Sequence, residues 1–149
     1  LARMARGIGF TVVAHDPYAD TGEVEAVSLE ELLASSDVVS LHLPLTTETA
    51  GLIGRRELTS MRPGAFLVNT ARGDLVDERA LVDVLSEERI AGAAFDAFSD
   101  EPPGDSPLIG LDNFISSPHA GAATTEAVVR AGVVAAQETA RLLREVKPT

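Results

Sequence analysis

The chain has 149 residues, 45% of them apolar, no cysteine, and 12 Lys and Arg against 23 Asp and Glu, for a net charge of −11. One domain of this size buries about two-thirds of the surface its unfolded chain exposes, the acidity leaves no basic stripe for nucleic-acid phosphates, and the lack of thiols excludes disulfides, thiolate zinc sites and cysteine nucleophiles. No apolar run reaches membrane-spanning length and no signal-peptide pattern is present, so a soluble cytoplasmic protein with no nucleic-acid or membrane partner is expected.

In chain order, short apolar runs alternate with stretches of helical period. FTVVAH (10–15) reads as a strand, and SLEELLASS (28–36) as a helix opened by a capping box of Ser28 and Glu31, with Leu29, Leu32 and Leu33 on one side. DVVSLHL (37–43) is the next strand, and RRELTSMRPG a short helix stopped by Pro63 and Gly64. GAFLVNT (64–70) is a strand, and DERALVDVLSEERIAG a helix with Leu81, Val84 and Leu85 on one face that ends at Gly92. AGAAFDAF (91–98) and NFISS (113–117) are strands, and 124–146 forms one long helix whose stripe of Ala131, Val134, Ala135, Glu138 and Leu142 reads as buried. Most of the strands lack polar alternation, as parallel strands covered on both faces do. The expected class is α/β, a doubly wound parallel sheet, in which ligands bind beyond the carboxyl ends of the strands. Those ends carry Asp16, Leu43 with Pro44, Asn69 to Arg72, Asp96 to Glu101, and His119. Each alone has a bland account, because strands end in polar, turn-forming residues.

The combination is more specific. FLVNTARGDLVDERAL, AAFDAFSDEPP and FISSPHAGAATTEA, each following a strand, with SLHLPLTTETAGLI upstream, resemble the D-isomer-specific 2-hydroxyacid dehydrogenase family over about residues 1 to 145. The resemblance implies a Rossmann-like NAD-binding domain and hydride transfer between NAD and a small 2-hydroxy or 2-oxo acid, with phosphoglycerate dehydrogenase and glyoxylate or hydroxypyruvate reductases among the relatives. It gives His119 the part of acid and base at the substrate oxygen, suited to an imidazole that titrates near neutrality. Glu101 becomes its carboxylate partner, which favours the imidazolium and fixes which ring nitrogen carries the proton. Arg72 becomes the clamp on the substrate carboxylate, a planar and permanently charged fork. Asp16 stands where an acid hydrogen-bonds the adenosine ribose and repels a 2′-phosphate, favouring NAD over NADP; a strand-end Asp opening the turn DPYAD is the competing account. Leu43 and Pro44 would line the adenine side, Thr70, Ala71 and Arg72 would approach the nicotinamide half, Asp96 would hold its carboxamide, and Gly121 beside His119 would allow close approach of backbone to ligand. His15 and His42 read as structural, the first facing solvent and the second without a partner in sequence, and no metal site is expected.

The family's G-x-G-x-x-G turn should precede a helix whose tail resembles LARMARGIGF, and the sequence begins at Leu1 within that helix. The expectation is therefore a partial NAD-binding domain without its first strand and glycine-rich loop, and without most of a substrate domain. In the strand order 3-2-1-4-5-6, that first strand would pair with the strands at Phe10 and Gly64. A fragment of this kind is expected to be marginally stable or to aggregate and to bind NAD weakly at best, and pairing of its exposed edges with another copy could rescue it. The full-length enzyme is expected to be a homodimer. Two other readings stay open at this stage, an NAD-sensing corepressor of the same family and an inactive remnant; formate dehydrogenase relatives fit less well, since Glu101 stands where they carry an amide.

Overall fold

The computed structural model describes residues 1–145. Its elements are α1 (Ala2–Gly7), β1 (Val13–Ala14), β2 (Glu25–Ala26), α2 (Leu29–Ser35), β3 (Val38–Leu41), α3 (Arg55–Ser60), β4 (Phe66–Asn69), α4 (Glu78–Ser86), β5 (Gly92–Phe95), β6 (Phe114–Ser116) and α5 (Thr125–Glu145), with short 3₁₀ turns at Gly73–Leu75 and Pro107–Gly110. All pairings are parallel, as expected of an α/β chain of the Rossmann type. The expected helices and strands form, shorter than their apolar runs. Ser28 caps α2 by accepting the Glu31 N–H at 3.1 Å, and Asp77 caps α4 by accepting from Arg79 and Ala80.

α4 ends at Ser86, before the expected Gly92, which instead begins β5. The stop is a Schellman motif: the Arg89 amide donates to the Val84 carbonyl at 3.0 Å and the Glu88 amide to that of Leu85 at 3.1 Å. Its left-handed residue is Glu88 (φ 52°), where a glycine would have announced the stop in sequence.

The strands fall into two sheets, β1-β2 and β3-β4-β5-β6. β2 is an element the sequence does not announce, because two exposed residues carry no periodicity. The neighbours of the family's first strand are expected at Phe10 and Gly64. β4 is in fact paired on both edges, by β3 and β5, and the edge strand of the larger sheet at that end is β3.

Register divides the larger sheet into two faces. Val39, Leu67, Ala93 and Phe114 lie abreast, as do Leu41, Asn69 and Phe95, and all of these are buried. They join Leu33 of α2, Leu58 of α3 and Leu81, Val84 and Leu85 of α4 in one core. Alternate residues point the other way, and there Val38, Phe66 and Ile115 are exposed, Ile115 at 72%. The expectation that the strands are covered on both faces therefore fails for this sheet. The reason is topological: β3, β4, β5 and β6 succeed one another in a single direction, and right-handed crossovers then deliver every connecting helix to the same face. No residue before Leu33 or after Phe114 is buried among those described.

α5 corrects a second expectation. The stripe expected to be buried is not: every residue of the helix through Arg144 is exposed apart from half-buried Ala127, including Val134 at 56%. A 3.6-residue period marks a face without naming what covers it. Val146, the expected last residue of this helix, lies outside the described residues.

The two faces respond differently to substitution. In the 149-residue chain, Leu67→Ala removes a fully buried side chain and is expected to cost about 2–5 kcal/mol. Ile115→Lys on the bare face is expected to stay within about 0.5 kcal/mol. Urea midpoints compare the two, and an Ile115→Lys loss as large as that of Leu67→Ala would mean that the face is covered.

Candidate active site

The carboxyl end of β4 is organised by Asn69, which is fully buried. Its Oδ1 accepts the Ala71 N–H at 3.1 Å and its Nδ2 donates to the Arg72 carbonyl at 2.8 Å. One amide thus acts as donor and acceptor to the turn that carries Arg72, a task a carboxylate cannot perform because it has no donor. Arg72 itself is exposed, with Nη1 on the Ala71 carbonyl at 2.6 Å, and it makes no ion pair among the described residues. Its charge is free to meet a carboxylate from outside. Thr70 beside it is exposed and Ala71 half-buried against the core.

β5 and β6 supply the other two candidates. His119 Nδ1 lies 2.9 Å from both oxygens of Glu101. Glu101 is held in turn, because its Oε1 accepts the Phe98 N–H at 3.0 Å just beyond β5. Donation by His119, then by Phe98, keeps the Glu101 carboxyl below the ordinary carboxylate range. With Nδ1 occupied, Nε2 is the ring nitrogen left without a partner among the described residues. His119 takes a left-handed backbone (φ 53°), uncommon away from glycine, between Pro118 and Ala120.

Asp96, 8% exposed, is the buried carboxylate behind that loop. Its Oδ1 accepts the Ser117 hydroxyl at 2.6 Å and the Ala120 N–H at 2.8 Å, and its Oδ2 accepts the Gly121 N–H at 3.0 Å. These bonds, that of Ser117 foremost, outweigh burial and lower its pKa from 3.8, helped by the His119 charge. The three donors leave one acceptor direction on Oδ2 for the carboxamide role expected of Asp96. Because the folded chain holds the carboxylate better than the unfolded chain, the resulting stability is present above the ordinary pKa and is lost as pH falls through the folded one. Asp96→Asn is expected to lower the urea midpoint clearly at about pH 7 and by less as pH falls below the ordinary carboxylate value. A gap that stays constant as pH falls would show that the carboxylate contributes nothing through ionisation.

Asp16 lies after β1 and is exposed; its Oδ1 accepts the Tyr18 and Ala19 amides at 2.9 and 3.1 Å. One oxygen thus forms the turn, and the other makes no hydrogen bond among the described residues. Leu43 packs partly against the core, and exposed Pro44 gives its carbonyl to Thr49. His15 Nδ1 sits 3.0 Å from the Val27 carbonyl. His42 does have a partner, Ser40 Oγ at 2.8 Å from Nε2 two residues earlier on the same strand end. A wide cleft of about 1490 Å³ nearby is lined by Asp74, Asp77, Asp83, Asp100 and Asp105 among others, a poor setting for a pyrophosphate, and it contains none of the three catalytic candidates. The set at the strand ends fits the sugar and nicotinamide portions of a dinucleotide: an open carboxylate at Asp16, small residues at Ala71 and Gly121, and one free acceptor on Asp96.

The structure therefore brings His119 and Glu101 into contact and leaves Arg72 at the end of the adjoining strand β4, outside that pair. Sequence reasoning gave no part to Asn69, Ser117 or the Phe98 amide. Only Asn69 carried a signal, as an Asn that opens a turn directly after a strand.

The family profile described as D-isomer specific 2-hydroxyacid dehydrogenase, NAD binding domain, matches residues 1–121. The chain is 40% identical over 150 aligned positions to the D-3-phosphoglycerate dehydrogenase of Methanocaldococcus jannaschii, covering 97% of this chain and 29% of that protein. It is 46% identical over 132 positions to the glyoxylate reductase of Korarchaeum cryptofilum, covering 85% of this chain and 40% of the relative. The solved structure of a D-2-hydroxyisocaproate dehydrogenase superposes with a TM-score of 0.89 at 29% identity, covering 99% of this chain and 50% of the other. The chain thus spans less than half the length of these two curated relatives. With most of its length matched and the strand-end residues standing where the motifs put them, the chain belongs to the D-isomer specific 2-hydroxyacid dehydrogenase family, as its NAD binding domain.

Proposed function

We propose that the chain forms the cofactor-binding and catalytic part of an NAD-dependent oxidoreductase that interconverts D-2-hydroxy acids and 2-oxo acids. The observation that carries this reading is the His119 Nδ1 contact of 2.9 Å with both Glu101 oxygens, which leaves Nε2 open. NADH, when bound, supplies the hydride to the carbonyl carbon of a 2-oxo acid. As charge develops on the carbonyl oxygen, His119 delivers a proton from Nε2, and Glu101 stabilises the ring through Nδ1–H. Arg72 holds the substrate carboxylate in a bidentate grip and draws charge toward the reacting oxygen. In the reverse direction His119 accepts the hydroxyl proton, so the reaction balances as 2-oxo acid, NADH and a proton against 2-hydroxy acid and NAD.

Asp16, with one oxygen free, supports NAD over NADP, because a 2′-phosphate beside it would meet a like charge. Arg72 reads only the carboxylate common to all 2-oxo acids, so the choice among them rests with other residues. The remaining expectations, a homodimeric enzyme of the cytoplasm built from this domain and a substrate domain, belong to the same proposal. Steady-state oxidation of NADH by the full-length protein with a panel of small 2-oxo acids tests the reading. Turnover of at least one of them is expected, and none with any would overturn it.

A further inference from the structure

We propose that Ser117 is a positioning residue for His119: its hydroxyl, bound to the buried Asp96 carboxylate, locks the loop that presents the imidazole. The inference rests on the reading of His119 as the acid–base group, and it adds an uncharged residue that acts through another.

The geometry starts at the end of β6. The Ser117 amide donates to the Phe95 carbonyl at 3.0 Å, the last bond of the β5–β6 ladder, so the main chain of Ser117 is fixed to the sheet. Its carbonyl accepts the His119 N–H at 3.0 Å, closing a tight turn around Pro118, whose ring restricts the turn further. On the far side of His119, the Ala120 and Gly121 amides bind the two oxygens of Asp96. His119 is thus suspended between two anchored stretches in a left-handed conformation (φ 53°) that a β-carbon disfavours. Such a backbone persists only where its surroundings over-determine it, and the single carboxylate of Asp96 ties both ends of the turn together. The direction of the imidazole, and with it the contact to Glu101, depends on that knot.

Of the donors in the knot, two are backbone amides and one is a side chain, the Ser117 hydroxyl, which also makes the shortest contact at 2.6 Å. It is therefore the one that substitution can remove. Ser117 itself is exposed and has little to contribute to the core, so its loss leaves the sheet intact. What changes is freedom at the turn. Without the hydroxyl, Asp96 Oδ1 keeps only Ala120, and the Ser117–Pro118 side of the turn is held by main-chain bonds alone. Displacement of an acid–base group by a fraction of an ångström lowers the rate of the chemical step more than it affects ground-state binding.

The test compares wild type, Ser117→Ala and Ser117→Thr in the full-length protein, by steady-state kinetics with NADH and a 2-oxo acid and by NMR of the His119 ring nitrogens. For Ser117→Ala, kcat is expected to fall on the order of 10-fold with KM for the 2-oxo acid, whose carboxylate Arg72 holds, little changed, and the Nδ1–H signal bonded to Glu101 should broaden or shift. Ser117→Thr, which keeps the hydroxyl, should restore both, a rescue that bulk destabilisation would not give. Wild-type kcat and wild-type ring signals in Ser117→Ala would overturn the inference, as would a Thr variant as impaired as the Ala variant. A wild-type protein that reduces no 2-oxo acid would overturn the oxidoreductase reading instead, and the ring signals alone would then decide the part played by Ser117.

Discussion

His119→Asn in the full-length protein is expected to lower kcat for 2-oxo acid reduction by roughly 10²–10⁴-fold, the usual worth of a positioned acid–base group, with NADH binding little changed. Asparagine is the informative substitution because it tolerates the left-handed backbone that His119 occupies (φ 53°), whereas Ala adds backbone strain to the loss of the ring. Glu101→Gln should cost less, since the amide can still accept a hydrogen bond from Nδ1 but no longer offsets the charge that the ring gains. Its contact with the Phe98 amide gives the variant a defined position. If His119→Asn turns over like wild type under saturating NADH, the proton comes from elsewhere and the assignment fails.

Gly73→Ala is expected to cost at least about 3 kcal/mol, beyond the usual range for a small overpacking change. A β-carbon there would stand 2.0 Å from the Phe98 carbonyl carbon, 2.1 Å from the Ser99 nitrogen and 2.6 Å from Phe98 Cα, all of them backbone atoms that cannot swing aside. For a domain whose whole stability is typically about 5–15 kcal/mol, that is a large fraction. The clash also couples fold to chemistry. Gly73 follows Arg72 directly, and the Phe98 amide holds Glu101, so relief of the contact displaces Arg72 and Glu101 together. Gly110→Ala, where an added carbon meets nothing within 4 Å, is the control and should leave the urea midpoint near that of wild type. Equal midpoints for the two variants would show that the loops at 73 and 98 do not approach as closely as described.

The larger sheet was legible because its strands are uninterrupted apolar runs and its helices carry standard caps. Val38–Leu41, Phe66–Asn69, Gly92–Phe95 and Phe114–Ser116 all lie inside stretches recognisable by composition alone. β2 was not legible, since Glu25–Ala26 is too short for any period to register. The end of α4 was not, since the left-handed cap residue is Glu88. Among the functional candidates, His119, Glu101 and Arg72 stood out through their motifs. Asn69 and Ser117 did not, because a buried amide or a hydroxyl acts only through the groups it meets in space.

By itself the sequence determined the alternation of strand and helix, the parallel class, the strand ends as the place of the chemistry, and the residue types at those ends. These follow from local periodicity and from the residues that loops require, properties of a few neighbouring positions. The tertiary structure alone decided that every crossover of the four-stranded sheet lies on one face and that α5 stays exposed through Arg144 apart from half-buried Ala127. It also decided that a buried Asp directly after β5 ties the His119 loop while Glu101, eighteen positions before His119, meets the imidazole. Handedness of crossovers and contacts between distant residues are properties of the folded path, and no window of sequence contains them.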